Sequence, residues 1–130
     1  MNMDHLTTVA QINPPVAEDL IGRVEAQLGM SLPGPYLELL RSANGMRFDN
    51  GLVVYAAEEV VERNETFEVK NYAPGYVAIG DDSGGRAVMM SLKSGRLMMA
   101  GIGDMDADMM EPCSKGLHSW VADGWPLPRD

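Results

Sequence analysis

Residues 76–92 constrain the fold of this chain more than any other stretch. Two apolar runs, 76–79 and 87–92, flank a cluster of aspartate, serine and glycine residues. Runs of β-branched, aromatic and other apolar residues on both sides of such a cluster predict two strands joined by a turn. Gly84 and Gly85 can adopt positive φ at little cost, while the neighbouring aspartates and serine can hydrogen-bond backbone N–H groups. We therefore predict a β-hairpin here.

Further turn signals predict that the sheet continues on both sides of this hairpin. Residues 93–96 contain a glycine and lead into an apolar run at 97–100, which adds a third strand and makes a meander. Before the hairpin, strand-like fragments at 46–48 and 52–55 flank an Asn-Gly pair. Asn-Gly is the strongest short hairpin signal, so these fragments are predicted to pair with each other.

Two helices are predicted ahead of the strands. The first begins at Asn13, a favourable N-cap residue, and ends at Gly29. Its apolar residues recur at every fourth position and form one stripe, which consists of Val16, Leu20, Val24 and Leu28. The second helix begins near Pro35 and ends at the pair Asn44 and Gly45.

The order of these elements predicts the fold class. A short acidic helix at 57–64 follows the first strands, and the central hairpin comes after it. Helices followed by mostly antiparallel strands are typical of α+β proteins rather than of alternating β/α units. A chain of 130 residues is expected to form one domain, 1–130. Residues 1–12 are predicted to be a tail, and 101–130 show the least regular pattern apart from a short C-terminal helix.

Charge and composition narrow the possible partners and location. Nineteen acidic and ten basic residues give a net charge of -9, with thirteen of the acids in residues 57–130. This charge repels nucleic acid and anionic membranes and attracts basic proteins. The single cysteine excludes an intrachain disulfide. The start of the sequence carries an acid where a secretion signal would carry positive charge, and no apolar run approaches the roughly 20 residues that span a bilayer. We therefore expect a cytoplasmic protein.

Four parts of the sequence, taken in order, resemble the successive signatures of one superfamily. These are Leu32-Pro33 followed by Tyr36-Leu37, a helix that closes in Asn44-Gly45, the acidic segment Glu58-Glu59-Val60, and residues 76–85. Over residues 16 to about 100, the chain is similar to the SUKH superfamily and, more narrowly, to its cell-wall-assembly-regulator (Smi/Knr-like) domains.

The resemblance carries expectations about fold and function. It implies a single α+β domain whose helices pack on a strongly bent, mostly antiparallel sheet. In bacteria, such domains are often immunity proteins that bind and neutralise a partner toxin, frequently a nuclease. The family pattern usually closes in a C-terminal helix with an aromatic and leucine face. Here Leu117, Trp120 and Val121 have that spacing, although nearby glycine and proline residues interrupt the segment.

Several short patterns resemble catalytic or metal-binding motifs. Ser83 lies in a turn similar to that of a serine nucleophile, but neither histidine of the chain has a recognisable motif around it. The residues that begin at Asp104 match the first ligands of an EF-hand, yet Met109 and Lys115 occupy the places of the required glycine and glutamate. Cys113 has an acid two residues before it and no nearby base except Lys115, which favours a buried or half-buried thiol over a reactive one.

Since no set of residues supplies a nucleophile, a base and an electrostatic stabiliser together, we predict a non-enzymatic binding module without a cofactor or metal. Its partner would be a basic toxin domain, bound by an acidic face and an aromatic anchor, and the protein itself would be a monomer or weak homodimer. The candidate partner-binding residues are Asp81, Asp82, Asp104, Asp106, Asp108, Glu111 and Trp125. Trp125 is equally compatible with a position in the core, and outward-facing methionines are further candidate anchors.

Two alternatives remain open. One is a regulatory or scaffolding module that has no toxin partner. The other is a small-ligand or divalent-metal-dependent enzyme that uses the acidic loops, with Asp104, Asp106, Asp108 and Glu111 as a loose cation site.

Overall fold

The computed structural model describes residues 9–127 of the chain, with side chains from residue 11 onward. The strands in this range are β1 (Val9–Ile12), β2 (Met46–Phe48), β3 (Val53–Val54), β4 (Tyr76–Asp81), β5 (Arg86–Ser91), β6 (Leu97–Gly101) and β7 (Glu111–Ser114). The α-helices are α1 (Glu18–Leu28), α2 (Gly34–Ser42), α3 (Ala57–Thr66), α4 (Val69–Tyr72) and α5 (Leu117–Ala122). A 3₁₀ turn, Ala107–Met109, precedes β7.

The described strands form one antiparallel sheet in sequential order, from β1 to β7. Each strand pairs with the next one along the chain; α1 and α2 lie in the β1–β2 connection, α3 and α4 lie in the β3–β4 connection, and α5 follows β7. The predicted α+β class and the central meander are therefore confirmed. So is the short C-terminal helix, since α5 buries Leu117, Trp120 and Val121.

The β4–β5 hairpin has the predicted strands but a different turn backbone. Asp81 pairs with Ala87 at the turn, and Tyr76 pairs with Ser91 at the far end. Positive φ occurs at Ser83 (60°) and Gly85 (100°), and Gly84 does not share it. Ser83 can hold this conformation because its N–H donates to Asp81 Oδ1, while its hydroxyl donates to the carbonyl of Gly51 in the β2–β3 turn.

The predicted start of the first helix was wrong. Asn13 does not cap α1; its side-chain amide donates to the carbonyl of Asn44, and its backbone N–H donates to the carbonyl of Gly45. The segment between Asn13 and α1 is held against the end of α2 in this way, so the helix begins only at Glu18. The buried face of α1 consequently consists of Ile21, Val24 and Leu28.

The prediction of a tail at residues 1–12 was wrong for residues 9–12. These residues form β1, which pairs with β2 and adds an edge strand to the sheet. Residues 1–8 lie outside the described part of the chain. A four-residue strand interrupted by a bulge carries too little alternation to be recognised from sequence.

The core occupies both faces of the sheet. The four central residues of β4 and the four of β5 are all buried, whereas a sheet with one solvated face buries every second residue. Met89 and Met90 are therefore both in the core, and Met99 is buried as well. Neither Met89 nor Met90 is therefore available as an outward-facing anchor.

Asn64 on α3 completes the sheet at the point where β3 ends. Its side-chain amide accepts from the N–H of Ala78 at 2.8 Å and donates to the carbonyl of Ala78 at 2.9 Å. It also donates to the carbonyl of Val60 at 2.7 Å. Because β3 has only two residues, this buried side chain substitutes for the missing strand neighbour of β4.

Replacing Asn64 by alanine is expected to lower the free energy of unfolding by about 2–4 kcal/mol, because two buried backbone groups of Ala78 would lose their partner. The exposed neighbour Glu65→Ala is the control and should change stability by less than about 0.5 kcal/mol. Chemical denaturation of the three proteins checks this. Equal stability of the Asn64 variant and the wild type would contradict the role assigned to this amide.

Candidate functional site

The topology places three connections at the same end of the sheet. In a sequential antiparallel meander, the β2–β3, β4–β5 and β6–β7 connections all lie at one end, which we call the turn end. Asp81 and Asp82 belong to the second of these connections, and Asp104, Asp106 and Asp108 belong to the third. Glu111 begins β7 on the same side. The structure therefore brings the six candidate acids to one end of the molecule.

The carboxylate of Asp81 accepts hydrogen bonds with both of its oxygens. Its Oδ2 accepts from the Tyr55 hydroxyl at 2.6 Å, and its Oδ1 accepts from the N–H of Ser83 at 2.9 Å. Burial, and then the hydrogen bond to Asp81, raise the pKa of Tyr55 well above its usual range. The carboxylate of Asp81 is thus a structural acceptor as well as a negative charge.

Asp82 is also satisfied within the turn. Its Oδ1 accepts from the N–H groups of Gly84 (2.8 Å) and Arg86 (3.0 Å), and its Oδ2 pairs with Arg86 Nε at 3.2 Å. Burial by itself would raise the pKa of Asp82. The hydrogen bonds from Arg86 and Gly84 outweigh it, so the pKa lies below the usual value.

The acids of the β6–β7 connection are more available to a partner. Asp104, Asp106, Asp108 and Glu111 are all exposed, and Asp106 additionally accepts from the N–H of Asp108 at 3.0 Å. Within residues 9–127, no three histidine, cysteine, aspartate or glutamate side chains are grouped so that they could hold a metal ion. The four acids therefore do not assemble the loose cation site that the metal-dependent alternative required.

A groove lies between the β6–β7 connection of the turn end and the α3–α4 turn, which belongs to the β3–β4 connection. It has a volume of about 630 Å³, and we call it the first groove. Its lining residues are Thr66, Phe67, Glu68, Asn71, Tyr72, Ile102, Gly103, Asp104, Met105 and Asp106. Three of them are acids and none is a lysine or arginine, while Tyr72 is 58% exposed. Such a groove offers negative charge beside an accessible aromatic ring.

A second groove lies on the other part of α3 and has a volume of about 500 Å³. It is lined by Arg47, Val53, Tyr55, Glu58, Glu59, Glu62, Arg63, Asp81 and Ser83. Both arginines already have carboxylate partners: Arg47 Nη2 lies 3.6 Å from Glu59 Oε2, and Arg63 pairs with Glu62. This second groove therefore has a net negative lining in which the positive charges are locally compensated.

Trp125 is not an exposed anchor. Its side chain is 2% exposed, and its ring packs against Phe48 (centroids 5.2 Å apart) and Trp120 (5.1 Å). Among residues 9–127, the Trp125 indole N–H finds no hydrogen-bond partner, whereas Trp120 Nε1 donates to the carbonyl of Pro126 at 2.8 Å. Of the two positions that the sequence left open for Trp125, a binding anchor or a core residue, the structure has the core position.

The sequence interpretation missed the contribution of α3 to the site. Its acidic composition was recognised, but Glu58, Glu59 and Glu62 were not selected as candidates, and neither was Tyr72. Alternation of acidic and apolar residues on a helix usually means only a solvated face. What distinguishes these residues is that α3 and the following turn, although they belong to the β3–β4 connection, line grooves together with the β4–β5 turn and the β6–β7 connection.

The remaining sequence candidates have structural roles. The Ser83 hydroxyl donates to the Gly51 carbonyl at 2.6 Å and so links two turns. The His118 ring contacts the carboxylate of Glu38 and connects α5 with α2 at the surface. Cys113 is half-buried, as the sequence indicated. These contacts show no nucleophile paired with a base.

Together, the sequential antiparallel sheet and the acid-lined grooves define an α+β protein with a negatively charged surface at one end. The family model described as the SMI1 / KNR4 family (SUKH-1) matches residues 15–121. This match covers most of the chain, so the protein belongs to the SMI1 / KNR4 family of the SUKH superfamily. The match extends beyond the predicted limit near residue 100 and includes β7 and most of α5.

The family and a curated relative indicate a broad function. Members of the family are linked to immunity or cell-wall roles and are generally non-enzymatic. The chain is also similar to the uncharacterized protein YnaB of Bacillus subtilis (strain 168), with 35% identity over 80 residues. That alignment covers 62% of this chain and 54% of YnaB, so the chain spans about half the length of this relative.

Among residues 9–127, none of the helices has both the length and the apolar character needed to cross a bilayer.

The lowered pKa of Asp82 predicts a pH-dependent contribution to stability. A carboxylate whose pKa is lower in the folded state stabilises the protein above its unfolded-state pKa of about 3.9, and this contribution disappears as pH falls through the folded-state value. Asp82→Asn should therefore lower the free energy of unfolding by about 1 kcal/mol near pH 7. Denaturation curves from roughly pH 7 to pH 2.5 should show this difference shrinking toward acid pH. A constant difference over that range would disagree with the assignment.

Cys113 is predicted to react slowly with alkylating reagents. Burial raises the pKa of its thiol to about 11, although the positive charge of Arg86 acts in the opposite direction. Relative to a free thiol with a pKa of about 8.5, the thiolate fraction near pH 8 should be smaller by roughly 100-fold. Alkylation by iodoacetamide, followed by mass spectrometry in native and denaturing buffers, measures this. A native rate equal to the denatured rate would refute the prediction.

Proposed function

We propose that this protein is an immunity-type binding module that neutralises a basic toxin, most simply a nuclease, by covering its active surface with the turn end. Membership of a family linked to immunity or cell-wall roles supports the proposal. The observation that carries it is the first groove, whose lining contains three carboxylates, no lysine or arginine, and the exposed ring of Tyr72.

A nuclease is proposed as the toxin because its nucleic-acid-binding surface is basic and complements the acids of the turn end. A protein that binds nucleic acid presents lysine and arginine residues to the phosphates, and these residues dominate its affinity. Carboxylates arranged at one end of a small domain can occupy the same basic surface. Because Asp104, Asp106, Asp108 and Glu111 are exposed, they can approach such a surface without losing internal contacts other than the bond that Asp106 makes to its own loop.

The charges would act mainly on the rate of association. Complementary fields can raise the association rate toward roughly 10⁸ M⁻¹s⁻¹ at low salt, whereas apolar contacts usually determine residence time. In this chain Tyr72 and Met109 are exposed on α4 and in the β6–β7 connection, so they can supply such contacts. The protein would act by occlusion and without catalysis.

The test is capture of the partner from a lysate of the protein's own source, with washes at low and then high salt and identification by mass spectrometry. We expect one basic, nuclease-like protein whose retention falls as salt rises, and co-expression of the pair should restore growth to cells that produce that toxin. Capture of large housekeeping assemblies alone would instead favour a regulatory or scaffolding role.

Charge reversal gives the residue-level prediction. The variant Asp104→Lys, Asp108→Lys and Glu111→Lys should weaken binding of the captured toxin by about tenfold or more and abolish protection. The control reverses three exposed acids on α1 and α2, Glu18, Asp19 and Glu38, so that the net charge changes equally. Calorimetry and the growth assay compare the two. An equal loss in both variants would attribute binding to overall charge and overturn the assignment to the turn end.

A further inference from the structure

The two grooves at the turn end share one side. Glu59, Glu62 and Arg63 line the second groove, and Thr66 and Phe67 line the first. At 100° per residue, Glu59, Glu62, Arg63 and Thr66 lie within one face of α3. The hydroxyl of Thr66 donates to Glu62 Oε1 at 3.0 Å, which joins the two parts of this face.

The opposite side is continuous as well. Asp81 and Ser83 border the second groove, and the segment from Ile102 to Asp106 borders the first. Between them, the N–H of Ile102 donates to the carbonyl of Gly85 at 2.8 Å. The β4–β5 turn and the β6–β7 connection therefore form one side together, facing α3. We call the whole depression the α3 trough.

We propose that the α3 trough binds an extended segment of consecutive basic residues from the partner. This inference rests on the proposed function and specifies which part of the turn end makes the contact. The lining of the trough contains seven carboxylates and two guanidinium groups, a net charge of -5 out of -9 for the whole chain. Side chains of an extended segment alternate in direction. Successive basic residues would therefore point alternately toward α3 and toward the opposite side of the trough.

The dimensions set the length of the bound segment. From Glu58 to Thr66, α3 advances about 12 Å at 1.5 Å per residue. An extended peptide covers about 3.3 Å per residue, so about four residues fill the trough.

Aromatic rings favour arginine over lysine in this segment. Arg63 already lies over the ring of Phe67, with Cζ 5.5 Å from the centroid, at the junction of the two grooves. Tyr72 offers a second ring, 58% exposed, in the first groove. A planar guanidinium stacks on such rings and forms two parallel hydrogen bonds with a carboxylate, whereas an ammonium group does not.

The probe is blocked tetra-arginine, titrated into the ¹⁵N-labelled full chain at low salt, with blocked tetralysine and tetraglutamate for comparison. We expect saturable chemical-shift changes confined to residues 59–68, 81–85 and 102–106, several-fold tighter binding of tetra-arginine than of tetralysine, and no binding of tetraglutamate. Shifts that map to another surface, or no saturation up to about 10 mM peptide, would overturn the proposal.

A matched pair of variants locates the contact. Glu62→Lys with Thr66→Lys changes the trough face of α3, and the Glu62 side chain is 59% exposed, so folding should be retained. Glu65→Lys with Gln27→Lys makes the same change in charge at exposed positions on the α1 side of α3. Thermal melts confirm that both variants fold. We expect the first variant to weaken tetra-arginine binding by at least about fivefold and the second to leave it unchanged; equal weakening would reject the trough.

The same variants separate this inference from the proposed function. If a toxin is captured and its binding is insensitive to Glu62→Lys with Thr66→Lys, the trough proposal fails while the immunity role stands. If tetra-arginine binds in the trough but no toxin is captured, the proposed function fails while the trough remains a site for basic segments.

Discussion

The position of α3 depends on two buried asparagines, one at each end of the helix. Asn64 bonds both backbone groups of Ala78 near the C-terminal end. At the other end, Asn44 Oδ1 accepts from the N–H of Ala57 at 2.8 Å, and its Nδ2 donates to Glu58 Oε1 at 2.6 Å. Buried amides that satisfy several partners fix a unique arrangement, since any displacement leaves polar groups unpaired. The grooves at the turn end depend on this placement because α3 lines both of them.

A close approach of two strands supports the same arrangement. At Gly80 on β4, a Cβ atom would lie 2.3 Å from the carbonyl oxygen of Val53, so only glycine allows β3 to pair at this distance. The two residues of β3 hold the chain against β4, after which it leaves the sheet and enters α3. The short strand, the glycine and the Asn64 amide therefore act together. They allow a helix to lie where a longer strand would otherwise continue the ladder.

The sequence predicted those parts of the fold whose signals are local. The turn residues around Asp82 determined the central hairpin, and the glycine and proline positions determined the ends of α2. Local signals failed where a tertiary contact competes with them, as at Asn13, whose amide bonds the end of α2 instead of capping α1. They left the placement of Trp125 undecided, since the residues around it do not indicate whether the ring packs inward. The acids were recognised individually, but only the alternation of turns in a sequential meander shows that they share one end.

The hydrogen bonds of these acids separate those that stabilise a turn from those that remain exposed. Asp81 and Asp82 stabilise the β4–β5 turn, and their bonds to Tyr55, Ser83, Gly84 and Arg86 maintain its shape. The exposed carboxylates on α3 and the β6–β7 connection add mutual repulsion, which disfavours the compact state when like charges gather at one end. A basic partner would relieve that repulsion and would also stabilise the fold by mass action, because it binds the folded chain only. Under the proposed function, such a surface would be more stable when occupied than when free, which would couple the fold of the module to the presence of its partner.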